Sequence, residues 1–194
     1  MAATGTAFDT LNPTTIAKVG QPAPDFNMAS TKNIETLKEN VRLSDYRGKW
    51  LVMMFYPLDF TFVCPTELTA FSDQLDQFEG VGAEVLGIST DSVFSHRAWL
   101  QTPREKNGVE GLRYPLAADI TGEVARKYGV LIEDEGIALR GLFIVDPEGV
   151  LQYQVVHSLN VGRSVGEAMR VLTALQTGGL CAAEWKPGQE NLQG

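Results

Sequence analysis

Across its 194 residues the chain has only two cysteines and two histidines. Cys64 and Cys181 stand too far apart to form a C-x-x-C redox pair or to seed a zinc cluster, and His96 and His157 are isolated from any ligand spacing. No metal and no cofactor is expected. Positive charge is scarce too, with 16 Lys and Arg against 24 Asp and Glu, a formal net charge of -8. A nucleic-acid groove or an anionic membrane surface calls for basic patches, so neither partner is expected. Apolar runs stay short of the roughly 18 residues of a spanning helix, and the N-terminus lacks the basic-then-apolar leader of a secreted chain. The expectation is a cytoplasmic protein. A structural disulfide would need an oxidising compartment, so any bond between the two cysteines is expected to be transient or catalytic.

What is present is a core-forming composition, 44 % apolar, in a length suited to one domain. Residues 1–17, rich in Thr, Ala and Asn without a sustained period, read as an N-terminal arm; 18–176 as the domain; 177–194 as a C-terminal tail. Apolar runs mark strands at Trp50 to Tyr56, Ala83 to Ser89, Leu142 to Val145 and Val150 to Val156, the last two joined by the turn Asp146-Pro147-Glu148-Gly149. Val41 to Leu43 alternates like a short strand. Helices are expected after Cys64, over Ser92 to Trp99, over Thr121 to Tyr128 and over Ser164 to Gln176, where Val165, Ala168, Met169, Leu172 and Leu175 share a face. Pro103 to Arg113 reads as a charged surface loop and Glu133 to Gly136 as a solvated acidic one. Alternating strands and helices that finish as a hairpin plus helix indicate an α/β protein, a mixed sheet with helices on both faces.

Cys64 lies where one of these strands hands over to a helix. Leu68, Phe71, Leu75 and Phe78 follow it at spacings of three, four and three, the mark of one helical face. Pro65 suits a helix's first turn, and Glu67 an early position. The unpaired N–H groups and partial positive charge of a helix start favour a thiolate, so Cys64 is a candidate nucleophile. A cysteine in an apolar setting is otherwise most simply a small core hydrophobe.

The pattern Pro57-x-x-x-Thr61-x-x-Cys64, continued by Pro65-Thr66-Glu67, resembles the active-site signature of the peroxiredoxins, in particular the alkyl hydroperoxide reductase branch. Val19 to Phe26 is similar to the opening motif of that family, and Arg140 to Asp146 to its second signature. Leu180-Cys181 through Trp185-Lys186-Pro187-Gly188 resembles the resolving-cysteine segment of its two-cysteine class. The resemblance spans Lys18 to Gly188 and implies a thioredoxin-like fold with an N-terminal extension and a C-terminal tail.

It further implies a thiol peroxidase acting on hydrogen peroxide and organic hydroperoxides, in antioxidant defence. Cys64 would be oxidised to a sulfenic acid, Thr61 would supply a hydroxyl, Arg140 a cation, Pro57 a shield from water and Glu67 an orienting carboxylate. Cys181 of a partner subunit would close an intersubunit disulfide in a homodimer, dimers would assemble into a decamer, and thioredoxin or a flavoprotein reductase would return the electrons. By the same analogy Ser92 to Trp99 would contribute to contacts between dimers, although Phe94 and Trp99 read equally as core residues. For an arbitrary sequence Arg140 would simply pair with the acidic loop before it. A competing reading is a holdase-type chaperone ring whose assembly is switched by redox state. Two departures stand out. Asn107-Gly108-Val109-Glu110 replaces the Gly-Gly-Leu-Gly loop of overoxidation-prone members, and no Tyr-Phe pair follows before Gly194, so resistance to overoxidation is expected. Ala182 stands where the family often has proline.

Overall fold

The computed structural model describes residues 16–194, so most of the expected arm lies outside the described residues. Ala17 is buried, and its amide donates to the Lys127 carbonyl (2.8 Å). Among the described residues nine strands form a seven-stranded sheet and a small hairpin. They are β1 (Asn27–Ser30), β2 (Asn40–Arg42), β3 (Trp50–Phe55), β4 (Ala83–Ser89), β5 (Leu116–Ala118), β6 (Leu131–Ile132), β7 (Ile137–Ala138), β8 (Arg140–Val145) and β9 (Leu151–His157). The large sheet runs β2-β1-β5-β4-β3-β8-β9, and β6 pairs only with β7. β3 lies parallel to β4 and antiparallel to β8, and β4 lies parallel to β5, so the sheet is mixed.

The central strand β3 is buried on both faces from Leu51 onward, which is why Leu-Val-Met-Met-Phe is a continuous apolar run rather than an alternating one. Its side chains divide between two cores. Leu51, Met53 and Phe55 pack with Val124, Ala125 and Tyr128 on one face, and Val52, Met54 and Tyr56 with Leu68, Phe71, Trp99 and Leu172 on the other. Helices therefore cover both faces of the sheet: α1 (Val63–Asp73), α2 (Leu75–Gly80), α3 (Val93–Leu100) and α5 (Val165–Thr177) one, α4 (Glu123–Lys127) the other. The thioredoxin-like α/β architecture implied by the motifs is the one observed.

Differences from the sequence reading are local. The face Leu68-Phe71-Leu75-Phe78 is buried as its spacing requires, but the chain breaks at Gln74 (φ -108, ψ 14), so two helices share it. β1 was not legible, and the acidic stretch 133–136 is the turn of the β6–β7 hairpin, with Arg126 gripping Glu133 through two hydrogen bonds (2.7 and 2.9 Å). The 103–113 segment is a surface loop only in part. Val109 is fully buried, and the indole of Trp99 donates to the Asn107 carbonyl (2.6 Å). Ser92 and Ser164 cap α3 and α5 through their hydroxyls, accepting from Ser95 and Glu167 amides, and Gly178 ends α5 in the left-handed conformation.

Candidate active site

Strand β3 ends in the interior, and the chain then makes a short loop, Pro57 to Phe62, before α1 begins at Val63. Pro57 is buried at the start of that loop, and Cys64 sits in the first turn of α1 with its side chain fully buried. Phe62, at the N-cap, offers no side-chain cap to the helix. The first amides of α1 are thus left without an intrahelical partner and without a cap, beside the sulfur.

Arg140, the first residue of β8, reaches across the sheet to this point. Its Nη1 lies 3.3 Å from Cys64 Sγ and donates to Glu67 Oε2 (2.6 Å), while its Nε donates to the Leu159 carbonyl (2.8 Å). Pairing with the acidic loop is therefore not what Arg140 does; it is a buried strand residue tied to Glu67. The carboxylate in turn holds a second guanidinium that the sequence reading missed. Arg163, buried just before α5, donates to Glu67 Oε1 from both its amide and Nε (2.7 Å each) and to Oε2 from Nη2 (3.1 Å). Its Nη1 also donates to the Phe55 and Gly141 carbonyls (2.7 and 2.6 Å), pinning the C-terminal end of β3 to β8. Gly162 makes room for this, since a Cβ there would come within 3.3 Å of Glu67 Cγ. Nothing in the spacing around Arg163 announces these contacts.

Counting formal charges, Arg140, Arg163 and Glu67 leave one positive charge in excess within a water-poor site. A thiolate at Cys64 closes the balance. The arrangement can hold an anionic sulfur beside a fixed cation and unpaired amides, the parts that a displacement at an O–O bond requires.

Thr61 stands in the loop before α1. Its hydroxyl donates to the Leu58 carbonyl (3.0 Å), which leaves its lone pairs as acceptors for an incoming O–H group. Cys64, Glu67 and Arg140 thus meet at one end of the sheet, and Pro57 and Thr61 lie in the loop that leads into α1 there. Cys181 does not join them within the chain: both thiols are free, and Cys181 is partly exposed in the tail after α5. There its sulfur lies 3.5 Å from Thr177 Oγ1 and 3.6 Å from Asn191 Oδ1. His96, far from being a stray histidine, is completely buried. Its Nδ1 faces Asp59 Oδ2 (2.9 Å) and its Nε2 the Ala117 carbonyl (3.2 Å). Of the two aromatic residues of α3, Trp99 is fully buried, as a core residue, and Phe94 is 65 % exposed.

The AhpC/TSA family model matches residues 19–154. A 2-Cys peroxiredoxin of the chloroplast of Spinacia oleracea is 53 % identical over 180 residues, covering 90 % of this chain and 67 % of that protein. Peroxiredoxin-2 of Rattus norvegicus is 51 % identical over 181 residues, covering 91 % and 90 %. Among solved structures, the reduced 2-Cys peroxiredoxin of Plasmodium vivax superposes with a TM-score of 0.86 at 36 % identity, over 90 % of this chain and 92 % of that one. Thioredoxin peroxidase I of Plasmodium yoelii superposes with a TM-score of 0.76 at 40 % identity, over 88 % of this chain and 100 % of that one.

Proposed function

The chain belongs to the AhpC/TSA family and is a peroxiredoxin, a peroxidase enzyme, and from that premise we propose how its own residues run the reaction and on what. The substrates are hydrogen peroxide and small organic hydroperoxides. The Cys64 thiolate attacks the terminal peroxide oxygen; an S–O bond forms as the O–O bond breaks, and the departing oxygen leaves as water or an alcohol after taking a proton. Thr61 accepts the O–H of the bound peroxide, and Arg140 follows the negative charge as it passes from sulfur to oxygen. Glu67 and Arg163 hold Arg140 in place, and buried Pro57 keeps bulk water from the sulfur.

The Cys64 sulfenic acid is then attacked by the Cys181 thiol of a partner subunit; an S–S bond forms, the S–O bond breaks and water is lost. A dithiol donor, thioredoxin or a flavoprotein reductase, reduces this disulfide. The similarity to the thioredoxin peroxidase of Plasmodium yoelii favours the former. The unit is a homodimer, assembling further into a decamer. Among the described residues no helix is long and apolar enough to cross a membrane, and a cycle that needs two free thiols between turnovers fits the reducing cytoplasm.

The observation that carries this reading is the 3.3 Å approach of Arg140 Nη1 to the Cys64 sulfur. Its test is peroxide consumption together with non-reducing electrophoresis in the wild type, Cys64→Ser and Cys181→Ser. The expected result is no peroxide consumption by Cys64→Ser, and a peroxide-induced dimer band in the wild type that both variants lack. Full thioredoxin-dependent turnover by Cys181→Ser would overturn the resolving step. The chaperone reading gains if Cys64→Ser still suppresses aggregation of an unfolding client at the wild-type level.

A further inference from the structure

The loop that holds Thr61, between β3 and α1, has no regular structure of its own, and one of its residues, Phe60, is held in the left-handed region (φ 55) although it is not glycine. Such a conformation is unfavourable for a bulky side chain and persists only where its surroundings impose it. The surroundings here are the junction of β4 and α3. Asp59 is fixed at two points. Its carboxylate accepts from Tyr56 (2.8 Å) and Ser95 (2.8 Å) hydroxyls and faces His96 Nδ1 (2.9 Å). Its backbone amide donates to Asp91 Oδ2 (2.9 Å), just past the end of β4.

Asp91 is itself locked. The Ser89 hydroxyl donates to the same Oδ2 (2.7 Å), and the Asp91 amide donates back to Ser89 Oγ (3.1 Å). A carboxylate is an odd choice for that place. Burial, and next the neighbouring Asp59 carboxylate, push the Asp91 carboxyl above its ordinary value, so the negative charge itself is disfavoured there. What the site uses is an acceptor oxygen aimed at the Asp59 amide. That amide belongs to the one residue whose position sets the start of the turn carrying Phe60 and Thr61.

We propose that Asp91 is a positioning residue for the peroxide-reducing step: through the Asp59 amide it fixes the turn that aims the Thr61 hydroxyl at the peroxide site, without touching Cys64 or its charge cluster. The inference rests on the peroxidase cycle proposed above. It separates two things that a damaged active site normally loses together. The thiolate is stabilised by Arg140 and its partners, which Asp91 does not contact; alignment of the peroxide depends on the loop, which Asp91 holds. A loosened loop thus leaves an anionic sulfur that reacts normally with an alkylating agent but poorly with peroxide.

The test measures two rate constants on the full-length protein, peroxide reduction by stopped flow and alkylation of Cys64 by iodoacetamide in a Cys181→Ser background. For Asp91→Ala the peroxide rate constant is expected to fall about tenfold or more, as small misplacements of reacting groups do, while alkylation stays within about threefold of the wild type. Asp91→Asn, which keeps an acceptor oxygen without the charge, is expected to restore the peroxide rate to within about threefold. Should Asp91→Ala fold poorly, Ser89→Ala removes only the hydroxyl that orients the carboxylate, and is expected to show the same split at smaller amplitude. The proposal is overturned if the peroxide rate is unchanged in Asp91→Ala, if both rates fall together, or if Asp91→Asn is as slow as Asp91→Ala. A wild-type protein that reacts with peroxide no faster than free cysteine would instead sink the parent reading.

Discussion

Glu67 sits between two buried guanidiniums that do different jobs, and their substitution should separate charge from architecture. Arg140 touches the sulfur, whereas Arg163 donates to the Phe55 and Gly141 carbonyls as well as to Glu67. Arg140→Met removes both the direct N–H and the charge, and the peroxide rate constant should fall by about 10²-fold or more. Arg163→Met leaves Arg140 balanced by Glu67, so a thiolate no longer closes the count, and the rate should fall by on the order of tenfold. The ranking reverses for stability, because Arg163→Met also strands two buried carbonyls, and its thermal midpoint should drop further than that of Arg140→Met. Stopped-flow kinetics and calorimetry on the two variants check both orders, and the same order in the two measurements would refute the division of labour. Legibility follows the same division. Cys64 and Glu67 are marked in sequence by a helix start that local composition announces, and Thr61 by the family pattern around it. Arg163 acts through oxygens on β3, α1 and β8, and such long-range contacts leave no trace in the residues around it.

Elements were legible where burial imposes a period and illegible where a single contact decides. β4 spans the residues its apolar run marks, Ala83–Ser89, and α5 keeps its amphipathic stripe. β1 is four residues, Asn-Met-Ala-Ser, too short and too polar at its ends to show alternation, and it exists because β2 and β5 flank it. The segment 103–113 is the sharper case. Arg104, Glu105, Lys106 and Glu110 make it look solvated, yet the chain folds back on α3: the Gly108 amide donates to the Pro103 carbonyl (3.0 Å) and that of Val109 to the Trp99 carbonyl (3.2 Å). A Cβ on Gly108 would lie 1.9 Å from the Thr102 carbonyl oxygen, a backbone atom that cannot swing aside. Gly108→Ala should therefore lower the thermal midpoint by on the order of 5–10 °C, the effect of about 2 kcal/mol or more in a domain of this size. Gly80→Ala, at the end of α2 with open space where the Cβ would go, should leave it unchanged or slightly raised. Equal midpoints for the two variants would show that the loop, not the contact, yields.

At the scale of the whole molecule the sheet ends in two edge strands, the three-residue β2 and the seven-residue β9. Past Leu151, which pairs with Gly20 and Gln21, β9 offers outer backbone groups with no partner among the described residues, and Val156 on it is 43 % exposed. An apolar, unprotected edge favours pairing with a second copy, and a lysine on such an edge discourages it. Val156→Lys, on a face that Tyr153 and Val155 do not use to meet α5, should leave the fold intact and shift the protein toward monomer in sedimentation. Its redox behaviour would then reveal where resolution happens. In the wild-type chain the Cys181 tail meets α5 through Arg170 Nη1 on the Trp185 carbonyl (3.2 Å) and through the sulfur itself, 3.7 Å from the Ala174 carbonyl, and Trp185 is buried. Cys181 is partly exposed in that tail, and the sulfenic acid should meet it before it meets a second peroxide. Mass spectrometry after peroxide titration during turnover is expected to find disulfide, with little sulfinic acid, at low peroxide excess. A monomeric Val156→Lys keeps Cys64 and its arginines but loses the partner's thiol, so its first oxidation should remain fast while sulfinic acid builds up and the disulfide band vanishes. If Val156→Lys stays monomeric yet forms the Cys64–Cys181 disulfide at the wild-type rate, resolution occurs within one chain and the two-subunit cycle is wrong.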